Sequence, residues 1–330
     1  MMSSAHTGGA GRDSIGARQA AVGGDERSPW LLLAVGAGGA SRRLVAAARV
    51  LLRACRPRQW SKNVLVAAAP ASAEALLRSA IALEVVLAFV AFCLIASATY
   101  LVNDVADREE DRHHASKRLR PIAAGELSVR SALYAAAVLG LGGLALATAV
   151  RPLLGLVCLG YLVLTLSYSL LWRHVIVADI VAIAAGFVLR AVAGGVATDI
   201  ALSRRFLLVV SAGSVFLVAG KRYAELRGAP HAHTRGTLHG YSLRSMRALM
   251  ILAAIVSVVA YAAFAFARQA HGPWFELSIV PFALWLGRYA ALLRIGSGEA
   301  PEQLILYDPP LLSLTAIWVG LFFAGVYVGH

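Results

Sequence analysis

Nine apolar windows succeed one another along this chain, and a sequence built that way has few folds open to it. Segments of bilayer-crossing length fall at Asn63 to Leu76, Ile81 to Val102, Ser131 to Val150, Pro152 to Trp172, Val175 to Ala197, Phe206 to Gly220, Ala248 to Phe266, Trp274 to Leu293 and Leu311 to Val328. The first is shorter than the rest. With 59% hydrophobic and 15% charged residues over 330 positions and a mean hydropathy of +0.69, an ordinary soluble domain is excluded. The expectation is an all-α polytopic membrane protein.

The chain carries 31 Lys and Arg against 18 Asp and Glu, a net charge of +13. With the amino terminus placed in the cytoplasm, about 24 of the basic residues fall on the inner side. Arg78, Arg151, Arg204, Arg205 and Arg268 fall outside, while Arg190 and Arg288 lie within spans. That asymmetry orients a multi-pass protein of the inner (plasma) membrane, with an inside start and an outside carboxyl end. Basic residues bunched beside spans at an anionic leaflet account for the net charge. No zinc spacing or RNA-binding aromatic signature is present, so the expected partner is the lipid bilayer and not a nucleic acid. Cys55, Cys93 and Cys158 have no metal-ligating spacing and read as small core residues.

Residues 1–40, rich in Gly, Ser and Ala, read as a disordered cytoplasmic tail. A secretory signal over Trp30 to Ala40 is disfavoured by the acidic stretch upstream and by Arg42-Arg43 at the wrong end. Over 41–58, Arg42, Arg49, Arg53 and Arg56 share one face of a helical wheel, the pattern of an amphipathic helix lying in the interface. Residues 59–330 form the transmembrane domain. Its polar content gathers in two cytoplasmic loops, Asp104 to Arg130 and Lys221 to Arg247, and Asp308-Pro309 reads as the cap and first residue of the last helix. Gly140, Gly142, Gly143, Gly194 and Gly195 lie inside apolar segments, where close helix packing explains them better than a nucleotide loop does.

The chemistry concentrates where the second window ends. Asn103, Asp104, Asp107 and Asp111 read N-D-x-x-D-x-x-x-D. On a helix they fall within an arc of roughly 100°, spread along about 12 Å of axis. Magnesium prefers a few carboxylates plus substrate phosphate oxygens to an all-protein cage. Lys117, Arg118 and Arg120 follow as phosphate ligands. The pairing points to Mg²⁺ and a diphosphate bound together. Charge runs are usually solvated helix ends, but this one stands at the mouth of a membrane segment in an acid-poor chain.

Asp179 and Arg190 fall on one face of the fifth span, where ionisable residues usually face a cavity. Asp179 is near enough to the cytoplasm to join the acidic site, whereas Arg190 is deeper and either snorkels outward or pairs with another helix. His113, His114, His231, His233 and His239 read as solvated and are assigned no metal. Trp60 reads as an interfacial anchor.

The N-D-x-x-D-x-x-x-D run with K-x-x-R-P at Lys117, Arg120 and Pro121 resembles the first signature of the UbiA superfamily of intramembrane prenyltransferases. More narrowly, RPRQWSKN at Arg56 to Asn63, SKRLRPIAAGEL at Ser116 to Leu127, LRAVAGGVAT at Leu189 to Thr198 and VAGKRYAEL at Val218 to Leu226 resemble its decaprenyl-phosphate phosphoribosyltransferase branch. That resemblance implies nine transmembrane helices around a central cavity with a cytoplasmic polar cap, and an active site facing the cytoplasm. It also implies Mg²⁺-dependent transfer of 5-phosphoribose from phosphoribosyl pyrophosphate to a polyprenyl (decaprenyl) phosphate, for cell-wall arabinan and arabinogalactan synthesis. A homo-oligomer is compatible with it.

The residues and the resemblance together give metal binding to Asn103, Asp104, Asp107 and Asp111, and catalysis to Asp107, Asp111, Lys117 and Arg120, as expectations. Substrate contacts fall to Arg58, Lys62, Asn63, Lys117, Arg120, Tyr168, Arg173, Asp179, Lys221, Arg222 and Glu225. Arg173 could equally snorkel at a helix end, and Glu225 could pair with Lys221. The rivals are an aromatic prenyltransferase with a polyprenyl diphosphate donor, and a transporter or lipid-binding protein. Aromatic prenyltransferases carry a second Asp-rich loop after the sixth span, where this chain has the basic KRYAELRGAPHAHTRG. A transporter would place its charges at mid-membrane on facing helices.

Overall fold

The computed structural model describes residues 44–172, 175, 177–228, 241–268, 272–295, 304 and 307–328. The chain divides into two compact units, 1–47 and 48–330, and of the first only the helical residues 44–47 are described. The second unit holds everything that follows.

A bilayer interior offers no water to backbone amides, so a spanning segment must satisfy them within itself, as a helix does. Eight helices are long and apolar enough to cross a membrane. They are α1 Ser79–Ala106, α2 Val129–Val150, α3 Pro152–Ser167 with its π-helical continuation to Trp172, α4 Ala178–Thr198, α5 Arg204–Gly228, α6 Leu243–Ala265, α7 Trp274–Ile295 and α8 Pro309–Tyr327. No strand occurs among the described residues.

The expected first window, 63–76, is not a long α-helix. Helical residues 48–54 end before a turn, and a 3-10 helix then runs over Pro57–Ala67, followed by a short α-helix at Ala68–Ser72. The interfacial helix expected to reach residue 58 therefore stops earlier. Pro57 opens the 3-10 segment, and Arg56 ahead of it takes a left-handed backbone with φ 54°.

α4 is the partition of the fold. On one side α1, α2 and α3 pack together with the 3-10 segment, around Val66, Phe92, Ile95, Leu154, Cys158 and Tyr161. On the other, α5, α6, α7 and α8 enclose Phe216, Met250, Tyr261, Leu286 and Tyr289. Close approach of α1 and α2 relies on Gly143, where an added Cβ would lie 2.6 Å from Ile95 Cγ1. The expected packing role of that glycine is thus visible as a distance.

Two loop boundaries also differ from expectation. Helix α5 continues through Gly228, so Lys221, Arg222 and Glu225 stand on a helix and not in a loop. α6 begins at Leu243 because Ser242 and Ser245 form a reciprocal capping box. The last helix starts as expected: the Asp308 side chain accepts from Leu311 N at 2.9 Å, with Pro309 next. Asp308 also holds Arg288 Nη2 at 2.8 Å, drawing that span arginine to the helix start.

Candidate active site

The acidic face is built by a helix that breaks without losing register. α1 ends at Ala106, Asp107 is the joint, and a short helix continues over Arg108–His113. Asp107 N donates to Asn103 O at 2.9 Å and Asp111 N to Asp107 O at 2.8 Å, so the i to i+4 spacing persists across the joint. Asp104, Asp107 and Asp111 are 2%, 7% and 2% exposed. Three buried carboxylates on one face need positive charge nearby, since unpaired buried charge costs several kcal/mol, roughly.

That charge is present. Arg120 Nη1 donates to Asp111 Oδ2 at 2.6 Å and to Asp104 Oδ1 at 3.2 Å. Arg56 pairs with the same Asp104 Oδ1 and its guanidinium lies 5.2 Å from the centroid of the Tyr100 ring. A left-handed non-glycine residue persists only where its surroundings over-determine it, and the Asp104 contact does that for Arg56. Sequence reasoning placed Arg56 on an interfacial stripe; the positive φ turns it inward instead.

Arg120 reaches the acids because a 3-10 turn at Lys117–Leu119 leads into it. Lys117 is half-buried beside this turn and Arg118 is exposed. His113 and His114 are exposed and bond to local groups: His113 Nδ1 lies 2.8 Å from Glu109 O, and His114 Nδ1 accepts from Ser116 N at 3.3 Å.

A second polar cluster stands where α4 begins and α5 ends. Asp179, 1% exposed, sits 2.6 Å from Arg222 Nε, itself only 3% exposed. Tyr241 OH donates to Asp179 Oδ1 at 2.5 Å and accepts from Val177 N at 2.6 Å. Burial, and then the neighbouring Asp179 carboxylate, push the Tyr241 phenol up to about 12. Glu225 pairs with Arg222, three residues earlier. Tyr168 opens a π-helical turn, Tyr168–Trp172, that packs against both α1 and α4, and it lies within electrostatic range of Arg222. Tyr241 was missed by sequence reasoning because nothing in its neighbourhood marks it.

Three further candidates lie on the 3-10 segment Pro57–Ala67. Asn63 is fully buried and its amide is engaged, accepting from Arg190 Nε at 2.7 Å and donating to Cys93 Sγ at 3.3 Å. Arg58 is exposed and Lys62 half-buried. Trp60, expected as an interfacial anchor, donates to Ser97 Oγ at 3.1 Å inside the fold. Arg173, His231, His233, His239 and Arg235 lie outside the described residues.

Among the described residues no group of three or more His, Cys, Asp or Glu is arranged to hold a metal by protein ligands alone. The donor set is one amide and three buried carboxylates, all hard oxygens, flanked by arginines. It fits a magnesium ion that completes its shell with phosphate oxygens and water.

The structure is an all-helical membrane domain with a buried carboxylate face meeting arginines, and the chain belongs to the UbiA prenyltransferase family, whose profile matches residues 64–314. It is 42% identical over 288 residues to the decaprenyl-phosphate phosphoribosyltransferase of Corynebacterium glutamicum, covering 84% of this chain and 87% of that relative. It is also 42% identical over 289 residues to the Mycobacterium tuberculosis protein of the same name, covering 84% and 95%. Among solved structures, a UbiA homolog from Archaeoglobus fulgidus bound to DMAPP and Mg²⁺ superposes with a TM-score of 0.65 at 19% identity, covering 84% of this chain and 99% of that one. At that identity the likeness concerns the fold.

Proposed function

We propose that this protein transfers 5-phosphoribose from phosphoribosyl pyrophosphate to a polyprenyl phosphate, with decaprenyl phosphate as acceptor, at the cytoplasmic side of the plasma membrane. The product would be a lipid-linked pentose of the kind consumed in cell-wall arabinan synthesis. The observation that carries this reading is the charge pairing of the two clusters. Asp104 and Asp111 meet Arg56 and Arg120 on one side, while on the other the carboxylates Asp179 and Glu225 are both already held by Arg222. An aromatic prenyltransferase needs a second free acidic pair there. Two phosphorylated substrates call instead for cations, and Lys221 and Arg227 on the same helix are the basic residues proposed for that role.

Asn103, Asp104, Asp107 and Asp111 would hold Mg²⁺, which, when bound, neutralises charge on the departing diphosphate. Arg120, already among these acids, can turn its remaining N–H groups to diphosphate oxygens. Lys62, Lys117 and Lys221 would bind the 5-phosphate and the acceptor phosphate, with Arg58 and Tyr168 as outer contacts. In the reaction the ribose C1–O bond to diphosphate breaks, the diphosphate leaves with the electron pair, and a lipid phosphate oxygen bonds to C1. That oxygen is anionic near neutrality, so no strong general base is required. Fixed cations that stabilise charge growing on the leaving group form a preorganised environment for the step.

Membranes containing the protein, given labelled phosphoribosyl pyrophosphate, decaprenyl phosphate and Mg²⁺, are expected to form a labelled phosphoribosyl lipid. No product above an Asp107→Ala control refutes the assignment.

A further inference from the structure

The 3-10 run Pro57–Ala67 is long for its type, since such runs rarely exceed three or four residues. Its burial repeats with period three. Asn63 and Val66 are buried with Trp60 half-buried above them, whereas Arg58, Ser61 and Val64 are exposed, and Gln59, Lys62 and Leu65 lie between. This is the 3.0-residue turn of a 3-10 helix expressed as three faces.

Helix α4 matches that repeat. Three residues of 3-10 helix and four of α-helix both advance about 6 Å. Arg190 and Gly194, one α turn apart, accordingly meet Asn63 and Val66, one 3-10 turn apart. Arg190 Nε bonds Asn63 Oδ1 at 2.7 Å, and a Cβ on Gly194 would lie 1.8 Å from Val66 O. Were residues 57–67 α-helical, the second contact would fall out of step, and Arg58 and Lys62, four apart, would share one face.

Arg190 is 5% exposed. Its other bonds go to Gly186 O and Tyr161 OH, both at 2.8 Å, and its guanidinium lies 4.6 Å from the Tyr161 ring centroid. A cation at such depth costs about 2.5–3.5 kcal/mol and by default has a function. The same tyrosine is within electrostatic range of Lys62.

We infer that Arg190 and Gly194 are positioning residues that lock the 3-10 register, so that Lys62 lies on the half-buried face, within electrostatic range of Tyr161, while Arg58 stays on the outer face. The functional consequence rests on the transferase reading, in which Lys62 contacts a substrate phosphate; the register itself does not.

Two measurements test this. In the full-length protein, Lys62→Ala is expected to raise the KM of one phosphorylated substrate about tenfold, the loss of one charge-assisted contact. Arg190→Gln should raise the same KM, and the double variant should be no worse than Lys62→Ala alone. Multiplying effects, or an unchanged KM in Arg190→Gln, overturn the inference; a purely structural arginine would give the former. If Arg190→Gln does not fold, Arg190→Lys, which keeps a cation but cannot bridge Asn63, Gly186 and Tyr161, takes its place. The second measurement needs no turnover. Single cysteines at 58 and 62, with the three native cysteines all buried, are labelled by a water-soluble maleimide. Position 58 should react about fivefold faster or more, because exposure governs thiol labelling. Equal rates overturn the register, whatever the protein transfers. If the wild-type protein makes no phosphoribosyl lipid while the labelling difference holds, it is the transferase reading that fails.

Discussion

Arg120 Nη1 lies 2.6 Å from Asp111 Oδ2 and reaches Asp104 with the same nitrogen, so one guanidinium occupies oxygens that a divalent cation would use. Under the proposed function, metal and arginine would therefore compete until a diphosphate gives the guanidinium somewhere else to bond.

From that competition, Arg120→Gln should bind Mn²⁺ more tightly than the native protein in the absence of diphosphate. Electron paramagnetic resonance of free Mn²⁺ measures it directly. The same change should cost roughly 1.5–3 kcal/mol of stability, the range for a hydrogen bond to a charged group, and should abolish most transfer activity. Equal Mn²⁺ affinities in the two proteins would contradict the competition.

The Asp179–Arg222 pair is buried on both sides, at 1% and 3% exposure. Asp179→Ala strands a buried guanidinium, which costs about 3–5 kcal/mol, only partly relieved by Glu225. Thermal unfolding in detergent should show a large fall in Tm for Asp179→Ala and a substantial recovery in Asp179→Leu/Arg222→Met. A single variant as stable as the native protein would show that the pair is not closed in the membrane.

Tyr241 gives a pH dependence with a defined sign. Its phenol is raised from 10.0 to about 12 in the folded protein, so folding favours the protonated form. The stability this contributes is complete below pH 10 and is lost as pH rises through the folded value. Native protein should therefore lose stability between about pH 10 and pH 12 more steeply than Tyr241→Phe, as read from unfolding midpoints across that range. Parallel profiles would remove Tyr241 from the cluster.

Arg58 and Lys62 should differ although both belong to the same basic stretch. Lys62→Ala is expected to reduce kcat/KM by roughly tenfold or more, and Arg58→Ala by distinctly less, because the 3-10 winding separates their faces. Steady-state kinetics on the two variants decide it.

How far the sequence could be read depended on the distance between partners. Long apolar windows give away eight spans, and the N-D-x-x-D-x-x-x-D spacing gives away the acidic face, because both are local patterns. That residues 57–67 wind as a 3-10 helix was not legible, because hydropathy does not distinguish a three-residue period from an α-helical one. α5 and α6 were drawn too short because Lys221, Arg222, Arg244 and Arg247 end an apolar window without ending a helix. Arg190 shares a helix face with Asp179, yet eleven residues put them about 16 Å apart along the axis. Its side-chain partners are Asn63 and Tyr161, 127 and 29 residues away in sequence. Tyr241 and Arg56 were invisible as site residues for the same reason: each acts through a contact that only the tertiary fold creates.

The central claim is tested most directly with purified protein in lipid nanodiscs containing decaprenyl phosphate, supplied with Mg²⁺ and phosphoribosyl pyrophosphate labelled in its 5-phosphate. The account predicts label in the lipid fraction, one diphosphate released per lipid labelled, and neither in Asp107→Ala. Label that stays in the aqueous phase, while a prenyl diphosphate is consumed with an aromatic acceptor, would contradict it.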